Sequence, residues 1–340
     1  MSALAPLAAL YGAAVSGRLA AYRRGLLPVR RAGRAVLSVG NVAAGGTGKT
    51  PFVRWLASEL VARGIRPAIL TRGYLRKSRG TVVVSNGAGA LASLADSGDE
   101  AALLARALPS VPVVADARRI RAARRAEEVA SDVAIHLLDD GFSHVGLARD
   151  LDVVLLDAAA PDAGGALLPV GRLREPLASL ARADLVVVTK AEQADPSRAR
   201  DLAARYAPGV PVYHARTRVL GIRDAAGRSV AARDLPGATL VAVAGLARPD
   251  SFRATLESLG VSPAAFLAFP DHAAYGASAL GRIERAAEES GASAVVTTEK
   301  DAVKLEGRLA LPLYRVAVDM PVVEPGFVAE ALARLARRPS

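Results

Sequence analysis

Apolar residues recur along this chain in two alternating rhythms. Short runs rich in Val, Leu and Ile fall at 34–39, 66–71, 81–85, 111–115, 133–138, 151–157 and 184–189. Their length and continuous apolar character predict strands covered on both faces. Between them, apolar positions at helical spacing predict helices over 49–63, 98–108, 117–130 and 196–206. This alternation predicts an α/β fold, a mostly parallel sheet with helices on both faces. A second alternating stretch opens at Thr239-Leu-Val-Ala-Val-Ala-Gly245 and continues through 249–260, 275–290, 293–298 and 313–318. The intervening segment 212–234 carries short β-rich runs and a turn at Ala225-Ala-Gly227, and reads as a connector or a hairpin. The expected division is an N-terminal segment 1–31, a first α/β domain 32–211, a β-rich connector 212–237 and a second, smaller α/β domain 238–340.

The strand at 34–39 and the helix from 49 enclose a glycine-rich turn. Its residues Ala43, Ala44, Gly45, Gly46, Thr47, Gly48, Lys49 and Thr50 read as a phosphate-binding loop of the P-loop NTPase kind, with Ala43 in place of the usual first glycine. Glycines let backbone N–H groups curl around phosphate oxygens, and the following helix turns its positive end toward them. Lys49 is placed to reach the β- and γ-phosphates and Thr50 to hold Mg²⁺ through its hydroxyl.

Further candidates lie where other strands end. Asp139 and Asp140 close the 133–138 run and precede Gly141. A carboxylate at such a strand end anchors Mg²⁺ in P-loop enzymes. Neighbouring strand residues point in opposite directions, so one of the pair is expected on the ion and the other on water or substrate. Asp99 and Glu100 follow Gly98 at a helix start, where acidic residues are favoured in any case. Asp271-His272 follows the strand-like Phe266-Leu-Ala-Phe-Pro270; it reads either as a hydrogen-bonded loop or as a proton-handling pair. Arg72-Gly-Tyr74 and Arg172-Leu-Arg-Glu-Pro176 offer guanidinium clamps for phosphate, or solvated surface arginines.

The formal charge of +11 comes almost wholly from arginine and reads either as codon bias or as the mark of an anionic partner, a nucleotide, a nucleic acid or an acidic lipid. Aromatic residues are scarce and none interleave with the arginines, so nucleic acid is not an expected partner. The chain has no cysteine, which excludes disulfides, thiolate metal sites and a cysteine nucleophile. No stretch approaches the ~20 uninterrupted apolar residues of a membrane span. In the first 31 residues, Leu4, Leu7, Ala8, Tyr11, Val15, Leu19 and Tyr22 recur near helical spacing, with Arg18, Arg23, Arg24, Arg30 and Arg31 among and after them. A signal peptide has the reverse order of charge and apolar run. The segment reads as an amphipathic helix on an anionic membrane surface, or as a helix packed on the first domain.

Several P-loop classes fit poorly. Partition and transport ATPases carry an additional lysine where this chain has Ala44. Guanine recognition needs Asn/Thr-Lys-x-Asp, whereas Thr189-Lys190 continues as Ala191-Glu192 and Thr298-Glu-Lys-Asp301 is also off-pattern. A GTPase-like regulatory switch is nonetheless the alternative function class.

Taken jointly, the motifs resemble the tetraacyldisaccharide 4′-kinase family, the lipid A 4′-kinases. The resemblance is carried by Ser38-Val-Gly-Asn-Val with Gly45-Gly-Thr-Gly-Lys-Thr-Pro51, Arg72-Gly-Tyr74, Gly98-Asp-Glu100, and Leu138-Asp-Asp-Gly-Phe142 with His144. It continues through Leu168-Pro-Val-Gly-Arg-Leu-Arg-Glu-Pro176, Phe269-Pro-Asp-His272 and Thr298-Glu-Lys-Asp-Ala-Val-Lys304. These stand in family order over about residues 4 to 304. Thr71, Ser143, Arg172 and Ala273-Ala274-Tyr275 depart from the family's usual residues without removing a catalytic group.

The resemblance implies transfer of the ATP γ-phosphate to the 4′-hydroxyl of tetraacyldisaccharide 1-phosphate, giving lipid IVA, with ATP and Mg²⁺ as cofactors. It implies Asp99 as base supported by His272 from the second domain, and Asp139 and Asp140 at Mg²⁺ and nearby water. Arg72, Tyr74, Glu100, Arg118 and Arg174 are then candidates for the phosphates or the substrate. It further implies a peripheral enzyme at the cytoplasmic face of a Gram-negative inner membrane, held by its N-terminal helix, with no obligate protein partner.

Overall fold

The computed structural model describes residues 4–235, 239–246 and 248–337, so the expected boundary at 237/238 lies outside the described residues. The chain forms two units, one comprising residues up to 217 together with those from 320 onward, the other residues 218–319. The first unit begins with α1 (Ala5–Arg23), β1 (Ala35–Gly40), α2 (Lys49–Ala62), β2 (Pro67–Thr71), β3 (Val82–Asn86), α3 (Leu94–Ser97) and α4 (Asp99–Ala107). It continues through β4 (Pro112–Ala115), α5 (Arg119–Val129), β5 (Ile135–Asp139), β6 (Leu151–Asp157), β7 (Leu185–Thr189), α6 (Ser197–Tyr206) and β8 (Val212–His214).

These strands make an eight-stranded sheet of order β3-β4-β2-β5-β1-β6-β7-β8. Only β3 runs antiparallel, against β4; every other neighbouring pair is parallel. Strands β2, β4, β5, β6 and β7 are buried along their whole length, as continuous apolar runs require when both faces are covered. Residues Leu37, Val39, Ile69, Leu137, Val153 and Val187 pack with α2 and α4 through Phe52, Leu56 and Leu104. On the sheet's other face, Val36, Leu70 and Leu138 pack against Ala122, Ala123 and Ala126 of α5.

The second unit contains β9 (Arg218–Arg223), β10 (Ser229–Val230), β11 (Leu240–Gly245), α7 (Pro249–Ser258), β12 (Ala265–Phe269), α8 (Ala277–Ser290), β13 (Ala294–Thr298), α9 (Glu299–Leu305) and β14 (Leu313–Asp319). Its six-stranded sheet has the order β10-β9-β14-β13-β11-β12. β11, β12, β13 and β14 are mutually parallel, and β9 runs antiparallel to β14 and β10.

The unit boundaries differ from the expected ones in two ways. The segment 212–235 is not a free-standing connector: β8 is the edge strand of the first sheet, while β9 and β10 form a hairpin in the second. The C-terminal helix α10 (Phe327–Arg337) belongs to the first unit. Its Phe327 ring meets Phe52, Trp55 and Tyr213 at centroid distances of 5.9, 5.9 and 5.1 Å. Aromatic burial of this kind dominates local core energetics and outweighs proximity in sequence.

Helix α1 combines the two readings left open by its composition. Gly12 and Val15 are buried, and Ala8, Tyr11, Leu19 and Tyr22 are half-buried, on the face turned to the first unit. Leu4, Leu7 and Leu10 are exposed, Leu10 at 69%. The apolar residues therefore divide between an inner and an outer face, rather than forming the single stripe expected of an amphipathic helix.

Candidate active site

The first sheet delivers its chemistry at one edge, beyond the carboxyl ends of its parallel strands, where α/β sheets place ligands. The phosphate-loop residues follow β1, Arg72 follows β2, Asp139 ends β5, Asp157 ends β6, and Lys190 follows β7. Gly48 is the N-cap of α2 with φ +82°, a left-handed conformation that glycine adopts without penalty. A Cβ there would also lie 2.6 Å from Met320 Cε. Lys49 and Thr50 form the first turn of α2, at the helix's positive end.

Behind the loop, buried Asn41 donates through Nδ2 to Thr47 Oγ1 at 2.9 Å and accepts at Oδ1 from Lys49 Nζ at 3.2 Å. The loop is braced from β7. Thr189 Oγ1 donates to the Thr47 carbonyl at 2.9 Å, and Lys190 Nζ donates to the Gly46 carbonyl and to Asp157 Oδ2 at 2.5 and 2.7 Å. In front, residues 172–174 run alongside it. The Ala44 N–H donates to the Arg172 carbonyl and the Arg174 N–H to the Val42 carbonyl, each at 2.7 Å. The distant 168–176 motif is thus laid against the loop as an antiparallel bridge between Ala43 and Leu173.

Extended-strand geometry stops at the first of the two adjacent carboxylates. β5 ends at Asp139, and Asp140 takes a left-handed φ of +53°. That conformation is costly for a residue with a Cβ, by about 1–2 kcal/mol. Asp140 is gripped by Arg174, whose two terminal nitrogens donate to its two oxygens at 2.7 Å each, and lies 3.7 Å from Lys49 Nζ. Burial opposes its ionisation, but Lys49 and Arg174 outweigh burial and hold the carboxyl well below the ordinary range. Asp139 is buried; burial, then the Glu100 and Asp140 charges, push its carboxyl up to about 7. Its Oδ2 accepts from Thr71 Oγ1 at 3.3 Å, whereas its Oδ1 has no hydrogen-bond partner among the described residues. A buried carboxylate oxygen of this kind is costly unless a cation meets it.

Gly98 joins two of the sequence motifs. A Cβ on it would lie 2.5 Å from the Tyr74 carbonyl, so only glycine lets the Arg72-Gly73-Tyr74 turn touch the start of α4. Asp99 and Glu100 occupy the first turn of α4, both partly buried, and the Glu100 charge acts on Asp139. The Arg72 and Tyr74 side chains are exposed. Arg118 is also exposed, and its backbone N–H donates to Asp116 Oδ1 at 2.7 Å.

Its neighbour Arg119 is the arginine that reaches inward. It is buried, donates to the Asp116 carbonyl at 2.9 Å and to the Asp139 carbonyl at 3.4 Å, and lies in the fields of Asp139 and Asp140. Burial brings its guanidinium down to about 10, which leaves it charged at neutral pH. Nothing in the sequence singles out Arg119, and Asn41 stands in it only as part of the Ser38-Val-Gly-Asn-Val motif. Adjacent arginines carry no sequence signal for which one faces inward; the phase of α5 decides it.

Asp271 and His272 lie in the second unit. Lys300 Nζ donates to Asp271 Oδ1 at 2.7 Å and lies 3.3 Å from His272 Nε2. Burial alone would raise the Asp271 pKa, but its bond to Lys300 lowers it overall. The residues after this pair are fastened to α9. Lys304 Nζ donates to the Ala273 carbonyl at 2.9 Å, and buried Asp301 accepts from the Gly245 N–H and from Thr298 Oγ1 at 2.8 Å each. This accounts for the Thr298-to-Lys304 motif as the frame of the Asp271-His272 turn.

Known proteins resemble this chain in sequence and in fold. The profile of the family described as tetraacyldisaccharide-1-P 4′-kinase matches residues 1–337. Similar proteins named tetraacyldisaccharide 4′-kinase include one from Anaeromyxobacter dehalogenans (strain 2CP-C), 46% identical over 94% of this chain and 86% of its own. Another, from Geobacter sulfurreducens, is 39% identical over 98% of this chain and 92% of its own. The structure of LpxK from Aquifex aeolicus in complex with ATP superposes with a TM-score of 0.79 at 32% identity, over 98% of this chain and 97% of that one.

Proposed function

The chain belongs to the tetraacyldisaccharide-1-P 4′-kinase family, and we propose how its residues divide the work of that reaction. It is an ATP-dependent lipid kinase of lipid A biosynthesis rather than a GTPase-like switch. The observation that carries the residue assignment is the cluster of Lys49, Asp139, Asp140, Arg119 and Arg174 beside the phosphate loop.

A sugar hydroxyl is a poor nucleophile, so a carboxylate must take its proton as the oxygen attacks the γ-phosphorus and the bond to the ADP leaving oxygen breaks. Asp99 is that base, at the first turn of α4, and His272 assists proton handling. Lys49, Arg119 and Arg174 supply positive charge toward the transferring phosphoryl oxygens. Mg²⁺, held by Thr50 and the unpartnered oxygen of Asp139, would neutralise β- and γ-phosphate charge. Asp140 is committed to Arg174 and Lys49, which it orients.

The acceptor is an acylated disaccharide whose chains stay in a bilayer. No helix among the described residues is long and apolar enough to cross a membrane. The outer face of α1 instead presents Leu7 and Leu10, with exposed Leu4 at its N-cap, followed by exposed Leu26, Val29 and the arginines 23, 24, 30 and 31. Apolar insertion supplemented by attraction to anionic headgroups holds the enzyme at the cytoplasmic face of the inner membrane.

The test is incubation with γ-labelled ATP and the acceptor lipid in detergent micelles, with product analysis. Label in a 4′-phosphomonoester of the lipid is expected. Release of label only as inorganic phosphate would contradict the assignment.

A further inference from the structure

Helix α1 touches the catalytic apparatus as well as the outer surface. Tyr11 Oη donates to the backbone carbonyl of Arg174 at 3.0 Å. One residue away, Arg18 reaches toward the buried Glu175, which Arg182 holds at 2.9 Å, and donates to the Ser143 carbonyl at 3.4 Å. At Gly12 the helix lies so close to the 166–175 segment that a Cβ would stand 2.6 Å from Leu167 Cδ1. The inner face of α1 is therefore seated on the segment that bridges the phosphate loop and carries Arg174.

We propose that Tyr11 is a positioning residue for phosphoryl transfer, acting through Arg174. The Arg174 backbone is fixed at two points, its N–H by the Val42 carbonyl and its carbonyl by the Tyr11 hydroxyl. Its side chain then spans from Asp140 to the Asn41 carbonyl at 3.1 Å. A guanidinium with both ends of its residue fixed presents its charge with little reorganisation, which is what electrostatic stabilisation of a transition state requires. The helix whose outer face meets the lipid surface thereby sets the arginine on its inner face. This inference rests on the reading that Arg174 serves the transferring phosphate.

The test is a double-mutant cycle in the full-length enzyme, with ATP and detergent-dispersed acceptor lipid. Tyr11→Phe removes one hydroxyl and keeps the ring. It is expected to lower kcat about fivefold, the worth of one net hydrogen bond, with the KM for ATP unchanged and the melting temperature lowered by no more than about 4 °C. Binding to anionic vesicles should also be unchanged, because Tyr11 is on the inner face. In an Arg174→Gln background, already slow, Tyr11→Phe should cost nothing further. Wild-type kcat in Tyr11→Phe, or losses that multiply in the double variant, would overturn the inference while leaving Arg174 in place. Normal turnover by Arg174→Gln alone would overturn the reading of Arg174, and the role of Tyr11 with it.

Discussion

The Arg174 guanidinium holds both carboxylate oxygens of Asp140, each at 2.7 Å. This fork-on-fork pairing separates two carboxylates that stand next to each other in sequence. Asp140 is spoken for by Arg174 and Lys49, and Asp139 keeps an oxygen with no hydrogen-bond partner among the described residues. The pair should therefore respond differently to loss of charge. Asp139→Asn is expected to raise the Mg²⁺ concentration for half-maximal activity by roughly tenfold or more, because Mg²⁺ prefers anionic oxygen. Asp140→Asn should chiefly lower kcat, by unfastening Arg174 and Lys49. Mg²⁺ titrations of the two variants check this; wild-type titrations for both would assign the carboxylates to structure.

Lys49 lies at the first turn of α2, with its ammonium on Asn41 and near Asp140. It belongs to no hydrophobic cluster, so Lys49→Ala should fold normally. Loss of its charge at the transferring phosphate is expected to reduce turnover by about a hundredfold or more. Near-normal kcat in a variant with an unchanged melting temperature would remove Lys49 from the mechanism.

His144 supplies a pH signature. Burial, then the fields of Arg119 and Arg149, take its imidazole from the ordinary 6.5 down to about 4. The folded protein thus resists a proton that the unfolded chain accepts. Its contribution is complete above pH 6.5 and is lost as the pH falls from there toward 4. His144→Gln should melt with a shallower decline across that acid range than the wild type. Parallel melting curves for the two proteins would show that His144 has no part in acid sensitivity.

The outer leucines of α1 separate membrane docking from packing. Leu4, Leu7 and Leu10 are exposed, so replacing all three by Gln should leave the melting temperature in place. Binding to anionic vesicles is expected to weaken by roughly tenfold or more, with added salt weakening the wild type only in part. Undiminished vesicle binding by the triple variant would refute docking through this face.

The first sheet was legible because its strands β2, β4, β5, β6 and β7 are buried along their whole length and so appear as largely apolar runs. The phosphate loop was legible because Gly45, Gly46 and Gly48 stand between such a run and a helical period. The return of the C-terminal helix to the first unit was not legible. It depends on Phe327 meeting Phe52 and Trp55, a contact no local pattern encodes. The inward turn of Arg119 rather than Arg118 escaped for a similar reason. Which α1 residues face the protein was also hidden, because the helix is apolar on both sides. The left-handed turn at Asp140 left no signal either, since aspartate is a common residue beside glycine.

The measurement that bears most directly on the account is single-turnover phosphoryl transfer by Asp99→Ala, with ATP affinity measured on the same protein. Asp99 stands at the start of α4, held there by the contact of Gly98 with Tyr74. As the base that accepts the 4′-hydroxyl proton, it should be needed for the chemical step and not for nucleotide binding. The account predicts a rate lowered by about 10²–10⁴, with ATP affinity within about twofold of the wild type. Transfer at the wild-type rate, or a loss explained wholly by weaker ATP binding, would contradict it.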